Sequence, residues 1–350
     1  MDKMESLSWI INSSCNLRCI HCYPDSGESC EIDRDINLLE KNLNTIRFNN
    51  IYISGGEPLL SSNLIKYVQI AKRLANYEVG ICTNGTLLDS SMASKLCDAG
   101  ITKITISIQH TENNTLSAQI YGKDNVIRKI INAISVAKMH KLPVTLEMTL
   151  MNLNYEYVDN LFEMAQSCGV DSLFFKRFRK VGRGKENFDL ALSNEENYNI
   201  LNRIHELSLE QKDIKVSVHD PLYKTVMFDY YFSQGYSIKQ ISDLLPDTKG
   251  CNAGINWIGL DFVGNISPCP LMIYENVIIG NVYQQSLYDI INNSAIIKAL
   301  TLNHEKEAQC KYARICRGCR VSALVETGCL YAKDPMCTFN NFECPSEITS

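Results

Sequence analysis

The chain has 350 residues, of which 45% are apolar, 21% charged and 15 cysteine, with a formal net charge of −5. That length corresponds to about two domains and needs no covalent staples to fold, and the composition excludes a disordered or collagen-like polymer. No apolar run reaches the length of a membrane span, no basic-then-apolar segment opens the chain, and the acidic balance offers no footprint for nucleic acid. The expectation is a cytoplasmic protein with neither membrane nor nucleic acid as partner.

In chain order, strands are expected at 7–12 (LSWIIN), 51–54 (IYIS), 78–83 (EVGICT), 103–109 (KITISIQ), 143–150 (PVTLEMTL) and 172–178 (SLFFKRF). Between them lie helical patterns. Leu64, Ile65, Val68, Ala71, Leu74 and Ala75 recur at helical spacing within 61–76, and Val126, Ile127, Ile130, Ile131, Ile134 and Ala137 do so within 123–140. Asp89 is placed as an N-cap, and Ser193 with Glu196 as a capping box. Six strands with interleaved helices predict an α/β fold with a parallel sheet, open or curled into a partial barrel, and chemistry at the carboxyl ends of its strands. HDP, PDTKG and CNAG punctuate the chain between 215 and 250. We therefore expect a first domain over 1–215, a bridging region over 216–250, and a cysteine-rich domain over 251–350.

The cysteines fall into three sets. Without a secretory signal, metal ligation is a better reading than disulfides. Cys15-x3-Cys19-x2-Cys22 begins three residues after the first expected strand. Three thiolates leave one iron of a [4Fe–4S] cluster open to a non-protein ligand. The alternative is a zinc site completed by His21, although such sites usually draw ligand pairs from separate segments. Cys30, Cys82, Cys97 and Cys168 are scattered and read as small buried apolar residues. A second motif, SGGEPLL at 54–60, follows the second expected strand. Gly55 and Gly56 permit close backbone approach to a ligand, Glu57 offers an acceptor for a cationic amine, and Pro58 stiffens the turn.

With these two motifs in this order, the chain resembles the radical S-adenosylmethionine enzymes. The family's CxxxCxxC loop matches Cys15, Cys19 and Cys22, with His21 at the position of its aromatic residue, and the family's GGEP matches Gly55 to Pro58. The resemblance covers roughly residues 7–215. It implies a partial (β/α)6 TIM-type barrel, a core [4Fe–4S] cluster on the three cysteines, and contact of GGEP with the methionine amino group. The implied activity is that of an oxidoreductase or maturase. It cleaves S-adenosylmethionine reductively and abstracts hydrogen from a substrate, drawing electrons from a reductant such as flavodoxin or ferredoxin. TNG at 83–85 closes the third strand in the family manner. Where relatives often read SIDG against the ribose, this chain reads Ser107-Ile108-Gln109-His110, so Ser107 carries over and the acidic position does not. Asn152 and Arg177 stand at further family positions on the cofactor side, and RFRKVGRG at 177–184 resembles the family's Arg-x4-Gly-Arg-Gly.

The C-terminal cysteines resemble the SPASM extension, an α+β segment that holds auxiliary iron–sulfur clusters. Twelve residues separate Cys251 from Gly264 and four more precede Cys269; Cys310-x5-Cys316-x2-Cys319 follows, and DPMC ends at Cys337. NWIGLDFVGNISPC alternates like two short strands about the turn Val263-Gly264-Asn265. The family's interleaving implies one or two auxiliary clusters. Cys251, Cys269 and Cys319 would hold one, and Cys310, Cys316 and Cys337 the other, with Glu307 or Cys344 as fourth ligand. Glu307 stands where the family has a seventh cysteine, and Cys329 has no place in the pattern. These spacings also suit zinc.

For the substrate, the resemblance implies first a peptide or protein side chain; the start directly at the first strand, with no added leader-binding domain, lowers that reading and leaves room for a separate peptide-binding protein as partner. The alternative is oxidative decarboxylation of a haem-precursor propionate, where GRG and DPxC signatures also occur. A reading from another class is an iron–sulfur electron carrier or zinc protein without S-adenosylmethionine turnover. Truncation near residue 245 is expected to leave the core cluster and cofactor site formed.

Overall fold

The structure is a computed structural model and describes residues 3–27, 34–245, 250–302, 310, 312 and 315–338. Cys30, Glu307 and Cys344 lie outside the described residues. Seven parallel strands pair in chain order: β1 (Lys3–Ile10), β2 (Arg47–Ser54), β3 (Ala75–Thr83), β4 (Lys103–Ser107), β5 (Val144–Leu150), β6 (Ser172–Arg177) and β7 (Lys215–His219). The six expected strands are present, and β7 is an addition. Its sequence, KVSVH, carries only two apolar residues and turns Lys215, Ser217 and His219 toward the sheet's concave side, so it lacks the signature of a buried strand.

On the far side of β1 the sheet continues with β8 (Trp257–Leu260), parallel to β1, then with β9 (Asn265–Ser267) and β10 (Gly280–Asn281) in antiparallel pairing. The hairpin expected around Val263-Gly264-Asn265 is β8–β9. Asp261 accepts from the Val263 and Asn265 amides, and Gly264 takes φ +92° at the bend. The sheet curls into a partial barrel whose two flanks meet at side chains. The His219 and Trp257 rings, from β7 and β8, lie 4.8 Å apart, and Trp257 Nε1 donates to Ser8 Oγ at 2.8 Å.

Strand alternation separates two environments. Ile51, Ile53, Val79, Ile81, Ile104, Ile106, Val144 and Leu146 are buried and share one apolar core with Ile127, Ile130 and Ile134 of the helix Val126–Met139. Their neighbours along each strand, mostly Ser, Thr, Cys, Lys and Glu, line the barrel's interior. The helices lie close to expectation at Leu64–Leu74 and Val126–Met139. Asp89 caps the helix Ser90–Ala99 by accepting from the Met92 amide at 2.7 Å. The Ser193–Glu196 capping box opens the helix Asn194–Glu210. Among the described residues no helix is long and apolar enough to cross a membrane.

Candidate functional site

A cavity of about 510 Å³ occupies the barrel. Its upper end is the loop after β1, where Cys15, Cys19 and Cys22 all line it as free thiols. The loop is held by backbone pairing of Cys15 with Gly27 and of Arg18 and Ile20 with the segment at 120–121. The strongest hold comes from GRG. Arg183 donates to the Cys19 carbonyl at 2.8 Å and the Ser26 carbonyl at 2.6 Å, and pairs with Asp25. Gly182, at φ +57°, lies where a Cβ would collide with the Tyr23 carbonyl. Burial raises the pKa of all three thiols, so metal binding here displaces protons. Burial, aided by Arg183 and Lys176, pushes His21 down to about 4, leaving a neutral ring whose Nδ1 has no partner.

The GGEP turn stacks on this loop. Added Cβ atoms at Gly55 and Gly56 would collide with Asn12 and the Ser14 carbonyl, while the Gly56 and Glu57 amides donate to the Asn12 and Ser14 carbonyls. The two glycines line the cavity, but the close approach that demands them is loop against loop. Glu57 makes its bonds behind the cavity wall. It has no solvent exposure and does not line the cavity. Its oxygens accept from Thr83 Oγ1 at 2.6 Å, the Asn84 amide at 2.8 Å and the Leu59 amide at 3.0 Å. Glu57 thus holds the TNG turn. Pro58 is buried at the start of the short turn Pro58–Leu60. Thr83 and Asn84 do line the cavity, and Asn84 Nδ2 reaches toward Cys15 Sγ at 3.9 Å. TNG was the sequence signal for them.

Ser107 faces the cavity from the end of β4. Asn152 does not; it is exposed and donates to the Asp189 carbonyl. Nearby, the buried Asn154 donates from its side-chain amide to the Gln109 carbonyl and accepts from the Met151 amide. Arg177 reaches the cavity wall, but its charge is engaged by Asp334 at 2.7 Å and Asp220 at 3.4 Å, so it braces DPMC against the strand ends. The interior also gathers Lys103, Lys176 and Lys215, with Glu147 2.7 Å from Lys176. Only the polar alternation within KITIS, VTLEMTL and KVSVH hinted at these residues.

A second cavity of about 180 Å³ is lined by Cys251, Cys269 and Cys319, residues 18 to 68 positions apart that the family resemblance groups together. Arg179, His219, Trp257 and Leu271 line both cavities and form the wall between them. Burial pushes the Cys269 thiol up to about 12 and raises Cys251 as well. Burial also opposes ionisation of Cys319, but the Arg179 and Arg177 guanidinium groups outweigh it and hold that thiol below its ordinary value. Cys310, Cys316 and Cys337 lie outside this second cavity, and Cys316 is buried.

Among the described residues no three His, Cys, Asp or Glu side chains converge on a single metal-ion position. The donor set fits iron–sulfur clusters: Cys15, Cys19 and Cys22 on one cavity wall and Cys251, Cys269 and Cys319 on the other are free thiols in threes, half-buried or buried.

Comparison with known proteins bears on the same two regions. The radical SAM superfamily matches residues 9–165, and the iron–sulfur cluster-binding SPASM domain matches residues 251–320. An AdoMet-dependent heme synthase of Methanosarcina barkeri is 25% identical over 342 residues, covering 95% of this chain and 96% of that protein. Streptococcus suis SuiB aligns with a TM-score of 0.73 at 14% identity, over 97% of this chain and 78% of that one. Native anSMEcpe with bound AdoMet aligns with a TM-score of 0.65 at 18% identity, over 91% and 90%. These structural likenesses concern the fold.

Proposed function

Because the chain belongs to the radical SAM superfamily and carries a SPASM iron–sulfur domain, we propose that it oxidises a substrate bearing a carboxylate, with a tetrapyrrole propionate as the preferred case. In this reading Cys15, Cys19 and Cys22 hold the core cluster. Cys251, Cys269 and Cys319 hold one auxiliary cluster, and Cys310, Cys316 and Cys337 contribute to another. With S-adenosylmethionine bound, the core cluster would supply one-electron reductive chemistry able to open an unactivated substrate C–H bond. A one-electron reductant of the flavodoxin or ferredoxin type is the external partner.

The chain's own residues position and enclose. Glu57, Thr83 and Asn84 fix the turn beside Cys15. The barrel walls keep water from the reacting carbon. The observation that carries the carboxylate reading is the cationic interior. Lys103, Lys176 and Lys215 line the cavity; Lys103 pairs with Glu78 at 3.8 Å and Lys176 with Glu147 at 2.7 Å, while the exposed Lys215 has no ion pair among the described residues. Lys103 and Lys215 open their strands, so they stand toward the end of the barrel away from the cysteine loop. Tyr52, Phe174 and Trp257 add flat aromatic surface. Decarboxylation of a propionate would break the bond to its carboxylate, release carbon dioxide and leave a vinyl group. The second electron would leave through the wall at Arg179, His219 and Trp257. The heme synthase relative that spans nearly the whole chain supports the same substrate class.

A peptide substrate is the second reading, favoured by β7. This strand ends the sheet, so its outer edge can take an extended peptide as an added strand. Anaerobically reconstituted enzyme, S-adenosylmethionine, reductant and a propionate-bearing iron tetrapyrrole should yield 5′-deoxyadenosine and substrate lighter by carbon dioxide. Lys215→Glu should weaken tetrapyrrole binding roughly tenfold, an effect of about 1.4 kcal/mol. Deoxyadenosine at only the background rate with the tetrapyrrole, stimulated instead by a cysteine- or aromatic-rich peptide, would overturn the first reading in favour of the second.

A further inference from the structure

RFRKVGRG carries two arginines before its glycines, Arg177 and Arg179, and their settings differ. Arg177 is neutralised in place by Asp334 and Asp220. Arg179 differs. It is only 7% exposed, and among the described residues no carboxylate forms an ion pair with it. Its Nη1 donates to the Arg177 carbonyl at 2.8 Å and its Nη2 to the His219 carbonyl at 2.9 Å. Those carbonyls belong to the ends of β6 and β7, so the sheet itself fixes the guanidinium plane. The remaining Nε–H points at Cys319 Sγ, 3.1 Å away. Asp334 fixes the same cysteine from behind by accepting from its backbone amide at 2.7 Å. Arg179 therefore stands in the wall between the barrel and the Cys251, Cys269 and Cys319 cavity, with its charge aimed at one thiolate.

We propose that Arg179 is a positioning residue that sets the reduction potential of the auxiliary cluster held by Cys251, Cys269 and Cys319. The inference rests on the reading that these three cysteines hold a cluster. A charge-assisted hydrogen bond to a ligand sulfur stabilises the more negative, reduced cluster, so it raises the potential. The raised potential suits an acceptor for the electron that must leave the substrate. Because Arg179 also lines the substrate cavity, that acceptor site lies one side chain from the barrel interior.

The test uses the full chain, reconstituted anaerobically, with iron content measured and each cluster titrated by electron paramagnetic resonance. Arg179→Gln should retain its iron and move one auxiliary midpoint to a more negative potential. Arg179→Lys, which keeps the charge but not the directed Nε–H, should move it less. The core midpoint should not move in either. Arg203→Gln, a half-buried arginine on the helix Asn194–Glu210 paired with Asp159, should move none. Auxiliary midpoints equal to wild type in Arg179→Gln at full iron would overturn the role of Arg179. Iron loss in both Arg179 variants would also overturn it, since the residue would then serve assembly alone. Wild-type iron in Cys251→Ala would reject the cluster assignment itself.

Discussion

Glu57 takes three donors and has no exposure to solvent, so its contribution is to stability as much as to chemistry. Replacing it with alanine removes the acceptor of the Thr83 hydroxyl and of the Asn84 and Leu59 amides. Loss of charge-assisted bonds and of their only acceptor should cost about 2–4 kcal/mol. The metal-free Glu57→Ala protein should therefore show a lowered denaturant midpoint; an unchanged midpoint would mean the turn finds other acceptors. His205 makes a pH-dependent contribution. It packs between the Tyr223 and Tyr230 rings, and burial holds its pKa below the usual value near 6.5. The unfolded chain takes up a proton as pH falls through about 6.5, and the folded chain does so only lower. Stability is thus complete above that pH and declines below it. His205→Phe should make the decline between pH 6.5 and 5 shallower in denaturant titrations, and an identical slope would count against the assignment.

The cysteine loop and the GRG turn form one unit, although more than 150 residues separate Arg183 from the Cys19 carbonyl it holds. Gly182 makes their contact possible. Alanine there must move the Tyr23 carbonyl, and with it Cys22. Gly169 is the matched control, with a similar φ of +64° and no atom within 4 Å of an added Cβ. Gly169→Ala should cost only the left-handed backbone strain, about 1–2 kcal/mol. Gly182→Ala should in addition lower the iron bound at the core site. Equal iron in the two variants would show that the loop does not depend on this contact.

The sheet binds the two cysteine-rich ends of the chain into one object. β8 lies beside β1, registered Ser6 to Trp257 through Trp9 to Leu260, and Trp257 closes against both Ser8 and His219. This changes the expectation for a truncation near residue 245. Cutting there removes a barrel wall and leaves the β1 edge unpaired, an invitation to association. The truncated chain should hold less core iron than the full chain and elute as aggregates from a sizing column. A monomer with full core iron would show that β1 to β7 suffice.

What the sequence determined by itself was local. Cys15-x3-Cys19-x2-Cys22, GGEP, TNG and the strand and helix periodicities each act within one loop or one element, where spacing dictates geometry. These were enough to read the parallel α/β scaffold and the radical SAM character of the chain. β7 escaped because its inward residues are polar, and polarity on a strand usually signals solvent rather than a cavity wall. Only the tertiary structure decided which partner each charge meets. Glu57 meets Thr83 of the TNG turn, Asn154 the Gln109 carbonyl, and Arg177 meets Asp334, 157 residues away. The physical reason is that a buried charge is set by whatever the packed fold brings within hydrogen-bond reach, and separation along the chain carries no information about that.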